Sequence, residues 1–174
     1  KLTLDGQLLL ELGNRGTPSD TGCTEDEGVV LRAAGPFNRP TRMAPSPSGD
    51  LYVSDGYRNS RVHRFSADGD FVASWGESGN DAPGHFYSPH SLWIDQDGLI
   101  YVCDRKNNRV QTFSMTGQFM GQWPDVSLPT DLHIDHSGTI YLAERQGDGT
   151  LATWISVRDP AGNVLARWDT SRSH

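Results

Sequence analysis

The stretch Pro89-His90-Ser91-Leu92-Trp93-Ile94-Asp95-Gln96-Asp97-Gly98-Leu99-Ile100-Tyr101-Val102-Cys103-Asp104 decides the fold. A proline opens it, a short apolar run follows, a turn glycine interrupts, and a second apolar run ends in an acid. The same phrase stands at Pro40, Gly49 and Leu51 to Asp55, and again at Pro129, Gly138 and Ile140 to Glu144. The three prolines are 49 and 40 residues apart. A second phrase interleaves with the first, a turn glycine followed six residues later by a large apolar residue. It occurs at Gly69/Trp75, Gly117/Trp123 and Gly162/Trp168, with an incomplete first copy at Gly6/Leu12.

β-Branched and aromatic residues fill these short runs, and Asp-Gly, Ser-Gly or Ala-Gly turns bound them, which is the signature of short antiparallel strands. In the middle unit the strands are Ser91 to Ile94, Ile100 to Cys103, Arg109 to Phe113 and Gln118 to Trp123. No helical periodicity competes. Four strands repeating at this period predict an all-β chain built as a β-propeller. Residues 1–12 supply the outer hairpin of a partial blade, 13–35 a long loop, and 36–85, 86–127 and 128–170 three full blades. Propellers close with about four to eight blades. Three and a fraction therefore predict closure by further sequence or by a second subunit, a homo-oligomer that completes the ring.

The formal net charge of -7, from 15 basic and 22 acidic residues, opposes binding to a phosphate backbone. No apolar stretch approaches the roughly 20 residues of a membrane-spanning helix. The expectation is no nucleic acid and no membrane, with a peptide substrate or a protein as partner. Cys103 reads as a small core residue and Cys23 as a loop residue, and a Cys23–Cys103 disulfide stays open. The acidic stretch from Asp20 to Glu27 reads as a solvated loop, with a calcium contact as the alternative.

Strand alternation puts the a–b and c–d hairpins on one side of the propeller and the b–c loops and strand-a starts on the other. The second side carries Tyr57 and Arg58, Arg105 and His90, so a phenol, a guanidinium and an imidazole converge at the mouth of the channel. Such loops on a rigid scaffold commonly carry function. Each residue has a plainer alternative: His90 as a strand cap, Tyr57 as wall packing. The pairs Asp55…Arg61 and Asp104…Arg109 recur and read as exposed hairpin clasps, contributing at most about 1 kcal/mol each. His63, His133 and His136 read as structural or solvated.

Longer strings carry a resemblance. Pro40-Thr41, Tyr52-Val53-Ser54-Asp55-Gly56-Tyr57, Asn59-Ser60-Arg61 and Phe65-Ser66 resemble the peptidyl-α-hydroxyglycine α-amidating lyases. So do Ser74-Trp75-Gly76-Glu77, Gly84-His85-Phe86, Pro89-His90-Ser91-Leu92 and Asp104-Arg105-Lys106-Asn107-Asn108-Arg109. The resemblance implies a six-bladed propeller of NHL type in a secreted or periplasmic setting. It implies cleavage of the N–C bond of a peptidyl-α-hydroxyglycine to peptide amide and glyoxylate. It implies a zinc ion on three histidines, matched here by His90 alone, with Tyr57 as the base and Arg105 as a catalytic arginine. A Lewis acid and a cation would stabilise oxyanion charge while the phenol moves the hydroxyl proton.

The departures are specific. Thr41 and Thr130 stand at the equivalent strand starts, and Asn38 and Arg58 replace a disulfide found in animal members. A second catalytic arginine belongs to a blade outside this sequence. The chain alone is expected not to complete a three-histidine zinc site. An inherited but idle NHL propeller, serving as a binding or interaction scaffold, is the alternative function.

Overall fold

The structure, a computed structural model, describes residues 1–147 and 153–169. The first blade comprises β1 (Pro40–Pro45), β2 (Leu51–Asp55), β3 (Arg61–Phe65) and β4 (Phe71–Trp75). A two-residue parallel pair, β5 (Glu77–Ser78) and β6 (His85–Phe86), connects it to the next. The second blade is β7 (Pro89–Ile94), β8 (Ile100–Asp104), β9 (Arg109–Phe113) and β10 (Phe119–Trp123). The third is β11 (Asp131–Ile134), β12 (Ile140–Arg145), β13 (Thr153–Arg158) and β14 (Val164–Asp169). In each of the three four-stranded sheets the strands pair antiparallel in sequence order, which is the blade of a propeller. The only helical element among the described residues is a single 3-10 turn at Arg105–Asn107.

The hairpin turns are built from the residues that announce them. Gly98 sits at φ +84°, where a side chain would be strained, and Asp95 Oδ1 accepts the N–H groups of Asp97 and Leu99. Asp135 does the same for Ser137 and Thr139 in the third blade. Successive side chains then face alternate neighbours. Tyr52 and Val62 meet Leu92, Ile100, Val102 and Phe113 between the first two blades. Tyr101, Cys103 and Val110 meet Leu132, Ile140 and Leu142 between the second and third.

The outer strands interlock by one repeated contact. The ring of Trp75 lies over Gly117, and that of Trp123 over Gly162, so a side chain at either glycine would strike the indole. Leu10 covers Gly69 in the same way, so the partial first copy uses Leu10 and not Leu12 as its packing residue. Among the described residues Trp168 has no such seat, and it is 54% exposed. The described residues thus form three blades in series with the outer face of the last one uncovered. Residues 1–12 make a short hairpin, with Leu2 bridged to Leu8, and an apolar groove runs between this segment and Met43, Leu51 and Val53.

Cys23 and Cys103 are both free thiols, so the disulfide left open by the sequence does not form. Cys103 is fully buried between blades, and that burial pushes its thiol pKa well up. It is a packing residue.

Candidate functional site

Each blade carries an acid at or next to the end of its second strand, and that acid positions the site. Asp55 accepts the N–H of Asn38, Asp104 that of Tyr87, and Glu144 that of Ser127. Each bond pins the segment that leads into the next proline. The residue directly before that proline takes a positive φ in all three blades: Arg39 at 62°, Ser88 at 58° and Leu128 at 39°. In the first two blades its carbonyl accepts from the b–c loop. Tyr57 N–H donates to the Arg39 carbonyl and Arg105 N–H to the Ser88 carbonyl, so Tyr57 and Arg105 occupy the same place in successive blades. Gly56 precedes Tyr57 because the Pro89 carbonyl of the next blade crosses directly over it, and a Cβ there would penetrate that oxygen.

His90 stands in β7 between Tyr57 of the first blade and Thr130 of the third. Its Nδ1 lies 2.7 Å from the Thr130 carbonyl, which can only accept, so Nδ1 carries the proton. Nε2 is then the lone-pair nitrogen, and it lies 3.1 Å from Tyr57 Oη. Tyr57 donates, His90 accepts. The rings meet edge-to-face at 5.5 Å between centroids. Burial lowers the His90 pKa, with the Arg105 charge adding to it, while the Thr130 hydrogen bond, Glu27 and Asp131 oppose the shift. The imidazole is accordingly neutral at pH 7, the form this hydrogen-bond pattern needs.

Arg105 joins the same neighbourhood through a residue that sequence reasoning missed. Arg105 Nη1 donates to Glu27 Oε1 at 2.8 Å, Ser88 Oγ donates to the same oxygen at 3.1 Å, and Lys106 Nζ stands 3.6 Å from Oε2. Glu27 N–H donates to the Tyr57 carbonyl at 2.6 Å. One loop residue therefore ties Tyr57 and Arg105 together. The stretch from Asp20 to Glu27 is largely exposed, as a solvated loop is, but three of its four acids are paired. Asp20 pairs with Arg32, Asp26 with Arg39 and Arg58, and Glu27 with Arg105 and Lys106. Only the run of acids in a loop hinted at this, because partners up to 78 residues away leave no local pattern.

The recurrent clasps also differ from expectation. Arg109 does pair with Asp104 at 2.7 Å, but the pair is buried, with Asp104 fully so. Burial raises the Asp104 pKa, against the hydrogen bonds of Asn107 and Tyr87 and the charge of Arg109. Arg61 turns instead to Glu77 at 3.5 Å, and Asp55 is satisfied by Asn59, His63 and the Asn38 N–H. His63 is fully buried there and structural.

A three-imidazole zinc site does not fit what the described residues offer. No group of three or more His, Cys, Asp or Glu residues among them is arranged to hold a metal ion. Thr41 Oγ1 donates to the Pro89 carbonyl, and Thr130 spends its own carbonyl on His90. Of the three strand-start residues Thr41, His90 and Thr130, His90 has the form of a ligand, a lone-pair nitrogen oriented through the other ring nitrogen by a backbone carbonyl. A metal on Nε2 would take the atom that Tyr57 now uses.

The NHL repeat model matches residues 37–65 and 86–113. Peptidyl-glycine alpha-amidating monooxygenase B of Xenopus laevis is 45% identical over 92 residues, covering 49% of this chain and 10% of the relative. The probable peptidyl-alpha-hydroxyglycine alpha-amidating lyase pgal-1 of Caenorhabditis elegans is 39% identical over 100 residues, covering 56% and 27%. The matched segment thus spans about a tenth to about a quarter of these relatives. Hydrazine synthase of Kuenenia stuttgartiensis superposes with a TM-score of 0.61 over 76% of this chain and 36% of that one, at 19% identity. That likeness shows the fold alone. The chain carries NHL repeats, folds as part of a β-propeller and, over about half its length, is related to amidating lyases.

Proposed function

We propose that the Tyr57–His90 pair, with Arg105 beside it, is part of a lyase site that cleaves peptidyl-α-hydroxyglycine to a peptide amide and glyoxylate. The observation that carries the reading is the directed chain from Tyr57 Oη to His90 Nε2 and from His90 Nδ1 to the Thr130 carbonyl. A neutral imidazole accepting from a phenol is a proton-transfer pair. Tyr57 passes its proton to Nε2 and takes the proton of the substrate hydroxyl. The carbon–oxygen double bond forms as the carbon–nitrogen bond breaks, and the imidazolium returns its proton to the leaving amide nitrogen. Both residues end as they began. Where other blades bring further metal ligands, His90 Nε2 is the atom that would join them, and Tyr57 would give it up.

The test is glyoxylate release from a peptide ending in α-hydroxyglycine. The wild-type chain, in the assembly it forms in solution, should release glyoxylate, and Tyr57→Phe should lower the rate at least about 100-fold with an unchanged circular-dichroism spectrum. No release by the wild type, or full activity in Tyr57→Phe, rules the reading out. The second reading, a non-catalytic propeller surface that binds a protein partner, is favoured by Thr41 and Thr130 at the strand starts, both spent on hydrogen bonds between blades.

A further inference from the structure

The Glu27 carboxylate meets two cations and a hydroxyl, and it meets them as a ligand would. Oε1 takes Arg105 Nη1 and Ser88 Oγ, while Oε2 faces Lys106 Nζ. The three donors lie at the start of β7 and in the 3-10 turn after β8, on the blade itself. Glu27 comes from a loop without regular structure and sits at φ 56°, a sparsely populated backbone conformation for a residue with a side chain. The backbone that carries the donors is held by the blade and not by Glu27, since Arg105 N–H donates to the Ser88 carbonyl and Lys106 N–H to the Tyr87 carbonyl. Nor does Glu27 satisfy them. Two positive charges face one negative charge, and Arg105 Nε is buried without a hydrogen-bond partner. The Lys106 side chain is 35% exposed, so solvent reaches the cluster.

We propose that Arg105, Lys106 and Ser88 form a carboxylate-binding cradle that Glu27 fills from within the chain, and that a small carboxylate ligand displaces Glu27. A guanidinium fork with an ammonium alongside matches a planar two-oxygen anion. Because Glu27 N–H also donates to the Tyr57 carbonyl, displacement of the Glu27 side chain by a ligand bears directly on the backbone that carries Tyr57. The substrate proposed above carries a carboxylate on the carbon that bears its hydroxyl. Naming an α-hydroxy acid as the natural ligand rests on that reading, whereas the cradle itself does not.

The probe is acetate, titrated into nitrogen-15-labelled protein while the backbone amide resonances of Ser88 and Lys106 are followed by NMR. Glu27→Gln removes the resident charge at constant size, and acetate should then bind at least about tenfold tighter than to the wild type. Adding Arg105→Gln to Glu27→Gln should abolish the gain. Unchanged affinity in Glu27→Gln, or a gain that survives Arg105→Gln, overturns the proposal. Should Glu27→Gln disturb the loop, Glu27→Asp, which draws the carboxylate back from the cradle, must shift affinity in the same direction. Glyoxylate release and acetate binding are separate readouts. Tightening without release leaves the cradle standing and the lyase reading not, and release without tightening does the reverse.

Discussion

Single residues decide how the blades come together at the site, and Gly56 is the clearest of them. The extra residue between Asp55 and Tyr57 is tolerated only without a side chain, because the Pro89 carbonyl of the neighbouring blade occupies that volume. Backbone meets backbone there, so neither side can yield as a flexible side chain would. Gly56→Ala should cost about 1–3 kcal/mol of stability by forcing the blades apart. Because Tyr57 follows directly, it should also weaken the Tyr57–His90 hydrogen bond. Urea unfolding checks the first effect. A variant as stable as the wild type would contradict the close approach. Asp55-Gly56-Tyr57 was legible in the sequence as an unusual string. The reason for its glycine was not, since the crowding oxygen lies 33 residues further along the chain.

At the scale of elements, the propeller is assembled by a contact that the sequence repeats and the structure explains. Turn glycine and large outer residue recur six apart, yet they do not meet within one blade. Each outer residue reaches the glycine of the next blade: Leu10 to Gly69, Trp75 to Gly117, Trp123 to Gly162. Periodicity showed that both positions matter, but it could not show the offset by one blade. It also chose Leu12, where the irregular first hairpin delivers Leu10. Trp123 is 9% exposed and Trp168 is 54% exposed. Trp123→Ala should therefore cost about 3–5 kcal/mol, and Trp168→Ala should stay within about 0.5 kcal/mol in the chain by itself. Equal losses in denaturant unfolding would mean that a further blade covers the last face in solution.

Across the whole molecule, the strands and their order were readable because alternation and turn chemistry are local. The placement of His90 and Tyr57 on one side followed from strand direction alone. What escaped was everything carried by the loop before the first blade. Glu27, Asp26 and Asp20 obey no period, and their arginines follow no fixed spacing, so composition showed an exposed loop and not its ion pairs. The site itself is a property of three blades at once. Tyr57 comes from the first, His90 from the second and Thr130 from the third, joined by two hydrogen bonds. That chain of bonds is what the functional reading depends on, and the His90 ring reports on both ends of it. The decisive measurement is the nitrogen-15 shift of the His90 ring nitrogens near pH 7.5, in the wild type and in Tyr57→Phe. The expected result is a neutral ring protonated at Nδ1, with an Nε2 resonance that moves when the Tyr57 hydroxyl is removed. A ring protonated at Nε2, or an Nε2 resonance indifferent to Tyr57→Phe, would contradict it.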